Sequence, residues 1–207
     1  MAKIDFKKKY KALYNQKGNT ITIVDVPELQ YLTVDGKGDP NTSLDFSDSM
    51  QTLYSLAYTI KFAVKKKKPS RDYSVMPSEG LWWMEDMASF TVERKNEWLW
   101  TLMILQPDFI TQNDLDRAVD VLEKKKPNRL LRNVKLVAFN EGKSAQLLYI
   151  GSFADEGATI QKLHTHIQEH GYITNGKHHE IYFSDPRKTA PSKLKTIIRQ
   201  PIRPVTP

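Results

Sequence analysis

The sequence predicts an α+β protein of antiparallel sheets, arranged as a tandem strand–helix–strand–strand repeat, and three observations predict it. Apolar residues recur at three- and four-residue steps over 45–65 and again over 155–170, the spacing of helices that bury one face. Short β-rich runs bounded by charged or turn residues follow each of these stretches. The order strand, helix, strand, strand, met first between residues 20 and 111, starts again at Asn133 and runs to about 202. Each half then carries one helix on one sheet face, and the uncovered faces form a common surface.

Taken in order, residues 1–20 are a basic lead-in with Phe6, Tyr10, Leu13 and Tyr14 at helical spacing. Thr20 to Val34 alternates β-branched residues and reads as extended, interrupted by Pro27. Asp35-Gly-Lys-Gly-Asp-Pro40 reads as a turn; it lacks the third glycine and the Lys-Ser/Thr pair of a phosphate loop. Phe46, Met50, Leu53, Tyr54, Ala57, Ile60 and Val64 stripe the first helix, which Lys65–Lys68 and Pro69 end. Two apolar runs follow, Gly80 to Met84 and Trp98 to Leu105, then a helix over 111–126 stopped by Pro127. In the second half, Val134–Phe139 and Ala145–Ile150 read as two strands separated by Asn140-Glu-Gly-Lys143. The helix over 155–170 has Ile160, Leu163, His164 and Ile167 on its apolar face and Gly171 as its cap. His179–Ser184 and Leu194–Pro201 are the closing strands before a Pro-rich tail.

All four tryptophans, Trp82, Trp83, Trp98 and Trp100, lie between Glu79 and Phe109. Alternation sends Trp98 and Trp100 to one face of their strand, and sets Trp82 opposite Trp83 on the other. Large aromatic side chains are ordinarily core. Four indoles on two neighbouring strands also make a wall for a flat ligand, since binding pockets are mostly aromatic with a few placed polar groups. Both readings are open at this level.

Composition narrows the classes. The chain of 207 residues is 40% hydrophobic and 27% charged, ordinary for a globular protein. It has no cysteine, which removes disulfides and thiolate metal sites. No apolar run reaches membrane-spanning length and the N-terminus has no signal-peptide core, so a cytoplasmic protein without membrane partners is expected. The net charge of +7 raises nucleic acid as a partner. The lysine runs at 65–68 and 124–126 fall at helix C-termini, however, where cations complement the dipole, and direct nucleic-acid binding is not expected.

One strand stands out for chemistry. In His179-Glu-Ile-Tyr-Phe183, alternation places Glu180 and Tyr182 on one face and Ile181 and Phe183 on the other. A carboxylate in an apolar strand is costly unless paired, so Glu180 is either a solvated residue or the polar group of a pocket, able to bind a cation or act as a base. All five histidines lie between His164 and His179. His164 falls on the apolar helix face and His166 and His170 on the solvated one. No HExxH spacing occurs, and neither a metal nor a cofactor is expected.

Six stretches carry a resemblance to a known family: LY at 13–14, VDGKGDPN at 34–41, EGLWW at 79–83, EWLWTLMILQPDFIT at 97–111, HHEIYFSDPRK at 178–188 and KTIIRQPI at 195–202. In these the chain resembles the GyrI-like small-molecule-binding domains, and more narrowly their stand-alone cyclopropanoid cyclopropyl hydrolases, from about Phe6 to Ile202. The resemblance implies one domain over 1–207, with halves at about 20–111 and 133–202 and a ligand cleft between them. It implies binding of flat aromatic xenobiotics and, in the hydrolase branch, hydrolysis of the cyclopropane of DNA-alkylating compounds. By the same resemblance Glu180 is the acidic site residue, with Tyr149 or Tyr182 as the hydroxyl donor. The ligand-contacting aromatics are Trp82, Trp83, Trp98, Trp100 and Phe183. One departure is Tyr149 in QLLYIG, where related chains carry histidine. The alternative from another class is a non-catalytic sequestering or ligand-sensing protein; the reading is compatible with a monomer.

Overall fold

The computed structural model describes residues 3–87 and 91–205, and the chain divides into two units. One comprises Met1–Phe6 and Leu29–Phe139, the other Lys7–Glu28 and Asn140–Pro207. Both mix helices with antiparallel strands, the α+β class expected. Among the described residues no helix is long and apolar enough to cross a membrane.

The first unit holds three adjacent strands, residues 29–37 of β1 (Thr22–Lys37), β2 (Ser78–Trp83) and β3 (Leu99–Gln106), with β3 in the centre. Helix α1 (Leu44–Lys67) begins at Ser43, whose hydroxyl accepts the Phe46 N–H at 3.2 Å. Helix α2 (Gln112–Lys125) opens with a capping box between Thr111 and Asp114. Register fixes the faces. Gly36, Trp100 and Trp82 form one cross-strand row, and Val34, Leu102 and Gly80 the next. This is the face under α1, because the Phe46 ring stands 5.7 Å from Trp82 and 5.3 Å from Trp100 between centroids. Leu53, Leu56, Ala57 and Ile60 of α1 are fully buried, as are Leu32, Leu102 and Ile104 of the sheet.

The expected turn at Asp35–Pro40 starts later than composition suggested. Asp35, Gly36 and Lys37 close β1, and the chain reverses beyond Gly38. Gly36 is there because Trp100 lies on its backbone: a Cβ at residue 36 would stand 2.0 Å from the indole. Nor does Pro27 interrupt β1, since its fixed φ suits extended backbone. The link from β2 to β3 is no tight turn either. It holds a 3-10 helix over Val92–Glu97, closed by Arg94 on Glu97 at 2.9 and 2.6 Å. Residues 88–90 of that link, and the last two of the Pro-rich tail, lie outside the described residues.

The second unit has at its centre the strand β6 (Lys195–Pro204). It pairs antiparallel with the long strand Lys135–Ile150 and with β5 (His178–Tyr182); the short β4 (Tyr172–Thr174) joins its far end. The two strands expected at 134–139 and 145–150 are therefore one strand of sixteen residues. Gly142 takes φ +72° inside it, so the Asn-Glu-Gly-Lys composition marks a local kink rather than a reversal. Helix α3 (Gly157–Glu169) lays Leu163 and Ile167 on Ala145, Leu147, Ile198 and Ile202, with Ile160 at the margin. Two single-turn helices, Phe6–Lys9 and Lys11–Tyr14, occupy the lead-in, as the spacing of Phe6, Leu13 and Tyr14 requires.

Candidate functional site

The α3-bearing face of the second sheet is built in rows. Tyr149, Thr196 and Tyr182 are cross-strand partners, and Leu147, Ile198 and Glu180 form the row beside them. The structure thus brings the three expected catalytic residues onto one face, with Thr196 between the two tyrosines. Glu180 is 7% exposed, and His178, two residues before it on the same face, donates Nε2–H to its Oε1 at 3.1 Å. Gln200 lies buried on this face opposite Ala145, and His164 reaches it from α3. Burial, and then His178, hold the His164 imidazole below its ordinary pKa, favouring the neutral ring. Two polar atoms here have no hydrogen-bond partner, His164 Nε2 and Thr196 Oγ1, although both are buried.

Beside the tyrosine row the chain turns through Gly151. The Tyr149 hydroxyl donates to the Ser152 carbonyl at 2.9 Å and lies so close that a Cβ at residue 151 would meet it at 2.4 Å. Burial, Asp155 and Glu156 raise the Tyr149 pKa, which keeps it a protonated donor. Phe153 stands edge-on to Tyr182 at 5.7 Å.

The opposite face of the same sheet holds a charged network that the sequence reading missed. His179 Nδ1–H donates to Glu141 Oε1 at 2.8 Å, and Arg199 Nη1 to Glu141 Oε2 at 3.0 Å. Arg199 also donates to Gln146 Oε1 at 2.9 Å and to the Leu13 carbonyl at 2.9 Å, while Gln146 donates to the Ala12 carbonyl at 2.8 Å. Burial alone would raise the Glu141 pKa, but His179 and Arg199 outweigh it and bring the carboxyl down to about 2. Alternation around Glu180 was a signal for His178; nothing in the Asn140–Lys143 composition pointed to Glu141.

The expected aromatics separate. Phe183 is not with Glu180: it borders a shallow depression of about 450 Å³ with Lys7, Lys8, Lys11 and Tyr14, Lys7 Nζ being 5.2 Å from its ring. In the first unit Trp82 and Trp100, 4% and 0% exposed, pack with Phe46, and Trp98 stands 5.8 Å from Trp82. Trp98 donates its Nε1–H to the Thr91 carbonyl at 2.8 Å, whereas the buried Nε1 of Trp100 has no acceptor. Trp83, paired with Leu99, is half-buried on the face away from α1. Donors close enough together for one metal ion lie elsewhere, at His166, Glu169 and His170.

Residues 19–203 match the family described as GyrI-like small molecule binding domain. Among solved structures, an uncharacterized conserved protein from Listeria innocua is 41% identical, with a TM-score of 0.89 over 97% of this chain and all of that one. Two chains from the same organism described as hydrolases are each 39% identical. Their TM-scores are 0.87 and 0.84 over 98% and 97% of this chain, and both are covered completely. No curated protein matches.

Proposed function

Because the chain belongs to the GyrI-like small molecule binding domain family, we propose that it binds flat aromatic xenobiotics and hydrolyses the cyclopropane of DNA-alkylating cyclopropanoid compounds. The observation that carries this reading is Glu180, a buried carboxylate on β5 oriented by His178 and sharing a sheet face with Tyr149 and Tyr182. The two Listeria chains described as hydrolases add support.

In this reading the cyclopropane is strained and conjugated to a carbonyl. Water attacks a ring carbon while Glu180 accepts its proton. The broken C–C bond delivers its electron pair through the conjugated system to the carbonyl oxygen, which becomes a phenol on taking up a proton, and no group leaves. Water is the only co-reactant. Tyr149 or Tyr182 donates a hydrogen bond to the developing phenolate, where a placed donor acts most strongly. Trp82, Trp83, Trp98, Trp100 and Phe183 are the proposed ligand aromatics. Trp83 is the first choice for stacking, since Trp82 and Trp100 already pack under α1. The two repeat halves, the cleft between them, cytoplasmic location and a detoxifying role belong to the same proposal.

Non-catalytic sequestration is the second reading, favoured by the fact that Glu180 and Tyr149 already hold protein partners. Incubation of a cyclopropanoid alkylator with sub-stoichiometric protein, following ring-opened product by mass spectrometry, separates the two. Hydrolysis yields many equivalents, and Glu180→Gln retains binding but turns over at least about a hundredfold more slowly. One equivalent of product or less establishes sequestration. Parental turnover by Glu180→Gln removes Glu180 from the mechanism.

A further inference from the structure

Helix α3 ends in an arrangement that the proposed chemistry does not use. His166, Glu169 and His170 occupy its last turn and cap, Glu169 and His170 exposed and His166 half-buried, and each offers a ligand atom within 4.8 Å of the others. Positions i, i+3 and i+4 stack on one side of a helix, so the grouping follows from the sequence once the helix forms. The two imidazole rings stand 3.8 Å apart between centroids.

We propose that this turn is a binding site for a divalent transition-metal ion of the zinc, nickel and copper class, with His166, His170 and Glu169 as its protein ligands. Two imidazoles and a carboxylate are the donor set these ions favour, whereas magnesium and calcium require mostly oxygen. His170 is already prepared for the role. Its Nδ1 lies 2.8 Å from the His166 carbonyl, and a carbonyl only accepts, so Nδ1 carries the proton and Nε2 presents its lone pair outward. Metal-bound histidines are held in this way by a backbone carbonyl. The helix C-terminus adds the negative end of the dipole, favourable to a cation. Ligand atoms on one ion stand about 3–4 Å apart at bond lengths near 2.1 Å, so a small side-chain adjustment of these outward residues closes the site.

Isothermal titration of the full chain with Zn²⁺, and separately with Mg²⁺, tests the proposal. One Zn²⁺ per chain is expected, with no Mg²⁺ binding, and the affinity should fall at least about tenfold in both His170→Ala and His166→Ala. Glu169→Gln, which leaves the imidazoles untouched, should show a smaller loss. Glu169 and His170 are exposed and His166 is half-buried, and circular dichroism checks that each variant keeps its helix. Absence of Zn²⁺ binding overturns the proposal, and so does binding that is equally strong in the two alanine variants, which would place the ion on other histidines.

Discussion

Two sheet faces of this molecule lie beneath a helix, and they are filled in opposite ways. Under α1 the rows are Gly36–Trp100–Trp82 and Val34–Leu102–Gly80, sealed by Phe46. On the α3 side the rows are Tyr149–Thr196–Tyr182 and Leu147–Ile198–Glu180, flanked by His178 and Gln200. Packing alone favours the first solution, because a buried polar group costs a few kcal/mol unless it is hydrogen-bonded. The second face carries polar groups and supplies a partner for Glu180. Where a covered face breaks the apolar rule, pairing Glu180 with His178 while leaving Thr196 Oγ1 and His164 Nε2 without partners, its chemistry is the place to look for function.

That contrast breaks most visibly at Trp100. Trp100→Ala should lower stability by about 3–5 kcal/mol in urea titration, the usual cost of emptying a large aromatic site; a loss under about 1 kcal/mol on the same scale would mean the box is not close-packed. Comparable in size is Arg199→Met, which leaves the Glu141 carboxylate without its arginine partner and should cost about 3–5 kcal/mol. Replacing both Glu141 and Arg199 by methionine should recover much of that loss, since the buried carboxylate and guanidinium are then both gone.

The same network sets an acid limb. A carboxyl depressed in the fold contributes its full stabilisation above its unfolded value, near 4.5, and loses it as pH falls toward about 2. Glu141→Gln should therefore flatten the stability profile between those values, read by thermal unfolding at successive pH. A smaller effect is expected for His178→Ala, about 1–3 kcal/mol, from leaving the Glu180 carboxylate with one partner fewer. Least of all is Arg94→Ala. Its pair with Glu97 is short but exposed, and surface pairs contribute little to stability.

Much of the fold was legible. Helices α1, α2 and α3 declare themselves by periodicity, by lysines and a proline at the ends of the first two, and by Gly171 beyond the third. The placing of Glu180 with Tyr182 follows from alternation, and register adds Tyr149 to their face. Which face a helix would cover is another matter. Alternation separates Trp82 from Trp83 without saying that α1 lands on Trp82, since that depends on contacts from Phe46, thirty-six residues earlier in the chain. Residues 140–143 misled for a local reason: Gly142 needs positive φ, as a turn glycine would, yet the strand continues through it. Glu141 stayed hidden with it.

Arg199 holds the Leu13 carbonyl across a sequence separation of 186 residues. During synthesis the segment at 11–14 therefore waits for its clamp while the intervening chain is made, roughly 10–40 s at ribosomal rates of about 5–20 residues per second. For that interval Leu13 and Tyr14, both buried at the end, have no finished site to enter. The second unit thus cannot close on residues 11–14 until Arg199 has been made.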